Sequence, residues 1–203
     1  MKKRNVAILI FDDVEVLDFA GPFEVFSVTG KRDGSDPFNC YTVAQKAPVI
    51  ARNNLSVNPH HLLASCPDPD IIVVPGGGGY HGDGTPFGTR REMYDQTVLA
   101  WLRKYHSRAE VTLSVCTGAL VLASAGLTRG LDATTHHGAF GALRETDPSL
   151  EVYENRRVVE SGKFVFSGGI SAGIDASFYL VAKLLGVVAA QETAAYMEYD
   201  WRP

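Results

Sequence analysis

Short, unbroken apolar runs recur along the chain: Val6-Ala-Ile-Leu-Ile-Phe11, Ile71-Ile-Val-Val74 and the β-type segment Val111-Thr-Leu-Ser-Val115. Runs this short suit strands buried on both faces of a parallel sheet. Each stops abruptly, on Asp12-Asp13, on Pro75-Gly-Gly-Gly-Gly79 and on Cys116-Thr-Gly118. From Asp18 to Val28 the residues Phe19, Phe23, Phe26 and Val28 recur at roughly helical spacing, with Gly21-Pro22 near the start, where proline is tolerated. Gln96 to Tyr105 is amphipathic, placing Val98, Leu99, Trp101, Leu102 and Tyr105 on one face, and Ile174 to Leu185 predicts another helix. Tyr41-Thr-Val-Ala44, Ala133-Thr-Thr-His136 and Phe164-Val-Phe-Ser167 add strand-like segments. Residues 30 to 40 read as a loop, the stretch from there to Pro69 as short strands and turns after Tyr41–Ala44, and the segment through Gly88 as a loop. Strands alternating with helices predict an α/β fold with a mostly parallel central sheet and helices on both faces. With 203 residues and no repeat, low-complexity tract or linker, one domain over 1–203 is expected.

Composition narrows the functions without choosing one. A net charge of -4 offers no broad basic surface, so no nucleic-acid partner is expected, and Met1-Lys-Lys-Arg4 and Arg90-Arg91 read as solvated charge. No apolar run approaches the length of a membrane span, and the N-terminus reads as a first core strand rather than a signal peptide. Three widely spaced cysteines make neither a disulfide framework nor a zinc site, which fits a reducing, cytoplasmic setting.

In an open parallel sheet, ligands bind beyond the carboxyl ends of the strands. Four segments fall there: Leu17 to Pro22, Pro75 to Gly79, Cys116 to Gly118 and Thr134 to His137. Cys116, between a strand and a helix, is placed as a nucleophile at a strained turn, where the free N–H groups and dipole of the next helix would lower its pKa. The competing reading is a buried structural cysteine, but Gly118 would let the backbone close tightly behind the turn. Asp18 is either a helix N-cap or, beside a thiolate, an acid kept protonated by burial and like charge, and so a candidate general acid/base. No Lys-Ser or Lys-Thr follows the glycine run, so no phosphate loop is expected, and Gly76 and Gly77 are candidates to present backbone N–H groups to an oxyanion. His136 is either the base of a Cys–His pair or a structural histidine. A metal site at His136-His137 is not expected, because adjacent residues on a strand point to opposite faces. Tyr196, Tyr199 and Trp201 read as packing or dimer-contact residues.

These segments resemble the ThiJ/PfpI superfamily, relatives of class I glutamine amidotransferases. The resemblance runs from Val6 to Trp201 and rests on Leu17-Asp-Phe-Ala-Gly-Pro22, Val74-Pro-Gly-Gly77, Ser114-Val-Cys-Thr-Gly-Ala-Leu-Val-Leu-Ala123, Ala133-Thr-Thr-His136 and Ser171-Ala-Gly-Ile-Asp175. It implies a flavodoxin-like three-layer sandwich. Asp18, Cys116 and Thr117 together look most similar to the isonitrile hydratase branch. The proteolytic branch usually carries histidine directly after the cysteine, where this chain has Thr117. Hydratase-like sequences often have tryptophan where this chain has His137, a difference that bears on the substrate pocket.

The resemblance implies that the Cys116 thiolate adds to an isonitrile carbon to give a thioimidate, which is hydrolysed to an N-substituted formamide. Asp18 would shuttle the proton and Thr117 would orient thiol and water. Neither metal nor organic cofactor is implied. Two other functions are compatible with the same residues: a redox or stress sensor in which Cys116 is oxidised beside Asp18, and a small-molecule sensor domain like that of AraC-type regulators, whose helix-turn-helix region would have no room before Pro203. The expected partners are a small-molecule substrate and a second copy of the chain in a homodimer.

Overall fold

In the computed structural model, which describes residues 2–203, the apolar runs become the centre of a seven-stranded sheet. Its strands are β1 (Arg4–Leu9), β2 (Phe38–Ala44), β3 (His61–Leu62), β4 (Ile71–Val74), β5 (Val111–Val115), β6 (Val158–Ser161) and β7 (Phe164–Ser167). They lie in the order β6-β7-β5-β4-β1-β2-β3, and every neighbouring pair is parallel except β6 with β7. All residues of β4 and β5 are buried, as strands covered on both faces must be.

The cover comes from seven helices: α1 (Val16–Val28), α2 (Thr89–Glu92), α3 (Gln96–His106), α4 (Gly118–Ser124), α5 (Phe140–Thr146), α6 (Ala172–Leu185) and α7 (Val187–Tyr196). Helices α1, α6 and α7 pack on one another, and α2, α3 and α5 each pack on α4, giving the three layers of a flavodoxin-like sandwich. In α3 the amphipathic face is the buried one: Val98, Leu99, Trp101, Leu102 and Tyr105 all face the core. Asp95 caps this helix by accepting the N–H groups of Thr97 and Val98 at 2.9 and 3.1 Å.

Helix α1 begins two residues before Asp18, so Pro22 lies inside it rather than near its start. With no N–H on Pro22, the Asp18 carbonyl loses its partner four residues on. Asp18 is therefore a first-turn residue and not the N-cap, a position that Glu15 occupies. The expected loop after the glycine run contains an antiparallel hairpin, Gly78–Tyr80 against Pro86–Gly88. A Cβ on Gly78 would sit 2.6 Å from the Gly88 Cα, so only glycine permits this approach, and it is invisible to β-propensity. Of the expected strand at 133–136 only Ala133 is paired, in a short Asp132–Ala133 strand against Glu151–Val152. Strand β6 and helices α5 and α7 have no counterpart in the sequence reading. Of the C-terminal aromatics, Tyr199 and Trp201 pack on Phe178 at ring separations of 5.4 and 5.7 Å, while Tyr196 is exposed. Among the described residues no helix is long and apolar enough to cross a membrane.

Candidate active site

Cys116 follows β5 directly and has φ 55°, a left-handed conformation that strains a residue bearing a Cβ. Two loops hold it there. Its N–H donates to the Gly168 carbonyl at 3.1 Å, and its own carbonyl accepts the Thr135 hydroxyl at 2.6 Å. Helix α4 starts two residues later at Gly118, where an added Cβ would overlap the Val74 carbonyl oxygen at the end of β4. The elbow therefore has no room behind it. Gly118→Ala is expected to cost at least about 3 kcal/mol in urea denaturation, since a backbone carbonyl cannot swing aside as a side chain can; a loss below about 1 kcal/mol would contradict this packing.

Asp18, fully buried, reaches the same point from the first turn of α1. Its Oδ2 accepts the Gly76 N–H at 2.9 Å, and its Oδ1, also buried, has no hydrogen-bond partner among the described residues. Gly76 allows the convergence: a Cβ there would stand 2.5 Å from the Thr117 nitrogen and 2.8 Å from Asp18 Oδ2. The Gly77 N–H donates to Thr117 Oγ1 at 3.1 Å, and the Thr89 hydroxyl donates to the Gly77 carbonyl at 2.7 Å while lying 3.1 Å from Thr117 Oγ1. The first turn of α1 and the ends of β4 and β5 thus bring Asp18, Gly76, Gly77, Cys116 and Thr117 together.

Two expectations change at this level of detail. The N–H groups of Gly76 and Gly77 are taken up by Asp18 and Thr117 and do not stand ready for an oxyanion. The backbone groups that favour negative charge on the Cys116 sulfur belong to Ile170 and Thr117. Ile170 is itself strained, with φ 48° on a β-branched residue. The second change concerns the thiol. Instead of being lowered, its pKa is pushed up to about 12, first by burial and then by the Asp18 carboxylate, against the N–H groups of Ile170 and Thr117. Removal from water outweighs the dipole of α4, which has only seven residues.

Burial also pushes Asp18 up to about 7, aided by the negative charge of Glu15 and opposed by the Gly76 N–H and the Cys116 thiol. The two groups titrate as a pair. Between about pH 7 and about 12 the pair holds one proton, on the Cys116 sulfur beside an ionised Asp18.

His136 and His137 stand to one side. Neither makes a hydrogen bond to Cys116; the His136 Nδ1 accepts the Gly138 N–H at 3.1 Å. Burial and the neighbouring His137 lower the His136 pKa. The rings lie 4.2 Å apart and share a pocket, contrary to the opposite faces expected of a strand, because β-structure ends at Ala133 and His137 opens a 3-10 turn. That pocket, of about 550 Å³, is also lined by Thr135, Gly169, Ile170 and Arg157. Thr135 and Ile170 therefore touch the pocket with one side and hold Cys116 with the other. The Thr134–His137 segment contains Thr135, though without the role it has here, whereas sequence reasoning missed Thr89, Gly168 and Ile170. The strand-end rule reaches the last two through β7, whereas nothing local marks Thr89.

A flavodoxin-like sandwich with a strained cysteine at a strand-to-helix elbow, and a buried carboxyl beside it, defines the class. The chain belongs to the DJ-1/PfpI family, whose pattern matches residues 4–183. It is 35% identical over 201 residues to an isonitrile hydratase of Pseudomonas putida, spanning 98% of this chain and 80% of that protein. It is also 28% identical to the HTH-type transcriptional regulator CdhR of Pseudomonas aeruginosa, across 88% of this chain and 50% of the regulator. Among solved structures, a THiJ/PfpI family protein from Pseudomonas syringae matches with a TM-score of 0.84 and 29% identity, covering all of this chain and 78% of that one. Drosophila melanogaster DJ-1beta matches with a TM-score of 0.82 at 18% identity, covering 98% of this chain and 100% of its own, and shares the fold.

Proposed function

We propose that the chain is a cysteine-dependent hydratase of isonitriles or closely related small electrophiles. The observation that carries this reading is the burial of the Asp18 carboxyl and the Cys116 thiol together at the strained elbow, the carboxyl held on the Gly76 N–H at 2.9 Å. An isonitrile carbon must gain both a nucleophile and a proton, and this pair offers both from one side. In the reaction the thiol proton passes to the Asp18 carboxylate as a C–S bond forms, and Asp18 returns it to the former isonitrile carbon, leaving a neutral thioimidate on Cys116. Water then adds to the thioimidate carbon, the nitrogen is protonated, and the C–S bond breaks. N-substituted formamide leaves, the thiol regains its proton, and the net change is addition of one water. Thr117, next to Cys116 in the chain and with its hydroxyl oxygen accepting the Gly77 N–H, is the residue we assign to orienting that water. The identity with an isonitrile hydratase over nearly the whole chain supports the same reading. The test is formamide release from a simple alkyl isonitrile by purified protein, followed by chromatography; no formamide above the buffer rate would end the isonitrile assignment.

The likeness to CdhR favours one second reading, a ligand- or oxidant-sensing role for the same cysteine. Because the thiol is buried and held above its ordinary pKa, we expect Cys116 to resist mild peroxide. Peptide mass spectrometry checks this; rapid conversion of Cys116 to a sulfinate would favour sensing over hydration. A homodimer remains part of the proposal, and sedimentation at micromolar protein tests it, a monomer counting against it.

A further inference from the structure

A second pocket, of about 590 Å³, opens between the α2–α3 corner and the ends of α4 and α5, and none of the Asp18–Cys116 residues lines it. Its walls combine three features. Tyr80 and Tyr94 stand at it with 60% and 70% of their surface exposed, so two aromatic side chains are open to solvent at the pocket. Met93, Leu99, Ala123 and Ala142 supply an apolar lining. Arg90 and Arg103 also line it, and among the described residues neither forms an ion pair.

Arg90 is the informative group. Its Nη1 is buried and has no hydrogen-bond partner among the described residues, although its guanidinium lies 6.0 Å from the Tyr80 ring centroid. A buried donor on a charged group is normally satisfied, and an arginine fork is shaped to receive a carboxylate. Arg103 already donates through Nε to the Ala125 carbonyl at 2.9 Å, which fixes the guanidinium at the pocket edge. The one acid in the lining, Glu145, is outnumbered by the two arginines. From these residues we infer a binding site for a small aromatic carboxylate, its carboxylate on Arg90 and Arg103 and its ring against Tyr80 and Tyr94. This site is independent of the chemistry assigned to Cys116.

Benzoate is the probe, titrated into the full chain by calorimetry or by chemical-shift perturbation. Saturable binding is expected, with benzyl alcohol, which keeps the ring and lacks the carboxylate, at least about tenfold weaker. Arg90→Met should weaken benzoate by a similar factor, and Tyr94→Ala, an exposed change that spares the core, should weaken it by about threefold or more. No saturable benzoate binding at about ten-millimolar ligand would overturn the site. So would undiminished binding to Tyr94→Ala and a folded Arg90→Met, or loss of benzoate binding on alkylating Cys116 alone, which would move the ligand to the elbow.

Discussion

Cys116→Ala is expected to lower formamide production from an alkyl isonitrile by at least about 10³-fold, to the level of buffer alone. The size follows from the role: without sulfur there is no covalent step, and the remaining dipoles act on a substrate that nothing attacks. Stability near pH 7 should change little by comparison. The thiol is neutral there in the folded chain, so its removal relieves no buried charge, and alanine leaves the backbone contacts to Gly168 and Thr135 in place. Alanine keeps the strain of φ 55°, so no large gain is expected either. Parallel assays of turnover and of urea unfolding separate the two effects. An alanine variant that is inactive because it is unfolded would leave the chemistry without support, and one that is folded and active would remove Cys116 from the mechanism.

Asp18→Asn should lower kcat/KM by about 10² to 10⁴-fold and alter the pH profile as well as its height. In the native chain the thiol proton needs a carboxylate to receive it, so activity should rise as pH climbs through about 7 and hold above it. The amide cannot take that proton, and the rise through this window should vanish. Stability carries a second signature. A carboxyl raised from 3.8 to about 7 binds more protons in the folded than in the unfolded chain across that interval. Its contribution is therefore fully present below pH 3.8 and declines as pH rises to about 7. Asparagine can still accept the Gly76 N–H through its carbonyl oxygen but never ionises, so the variant should be the more stable protein above pH 7, by a few kcal/mol, with a flatter curve below it. Thermal melts from pH 4 to 8 read this directly, and parallel curves for the two proteins would contradict the raised carboxyl.

The parts of the site that were legible in the sequence are those that a strand end carries with it. Val111 to Val115 is apolar enough to be read as a buried strand, so Cys116 had to emerge at its carboxyl end, and the same holds for Gly76 after Ile71–Val74. Asp18 was legible as a neighbour for a weaker reason, since it sits one turn into α1 and the helix had to pack back over β1. What remained hidden is what long-range packing decides. No local pattern says that the Gly76 and Gly77 N–H groups turn toward Asp18 and Thr117, or that Ile170, more than fifty residues after Cys116, adopts φ 48° to present its N–H to the sulfur. The direction of the thiol shift is a burial effect, and burial is a sum over the whole sandwich. His136 and His137 illustrate the same limit at short range, where the period-two argument failed as soon as the strand stopped at Ala133.

The DJ-1/PfpI family provides the frame in which an enzyme and a regulator both find relatives of this chain, so the chemistry at Cys116 has to be read from the protein itself. The most direct measurement is the intact mass of protein mixed with an alkyl isonitrile and quenched in acid before the first turnover is complete, followed by peptide mapping. The account predicts an increment equal to the mass of one isonitrile, carried by the peptide containing Cys116, absent from Cys116→Ala, and decaying as formamide appears. Formamide released at the same rate with no adduct on Cys116 at any time would contradict it.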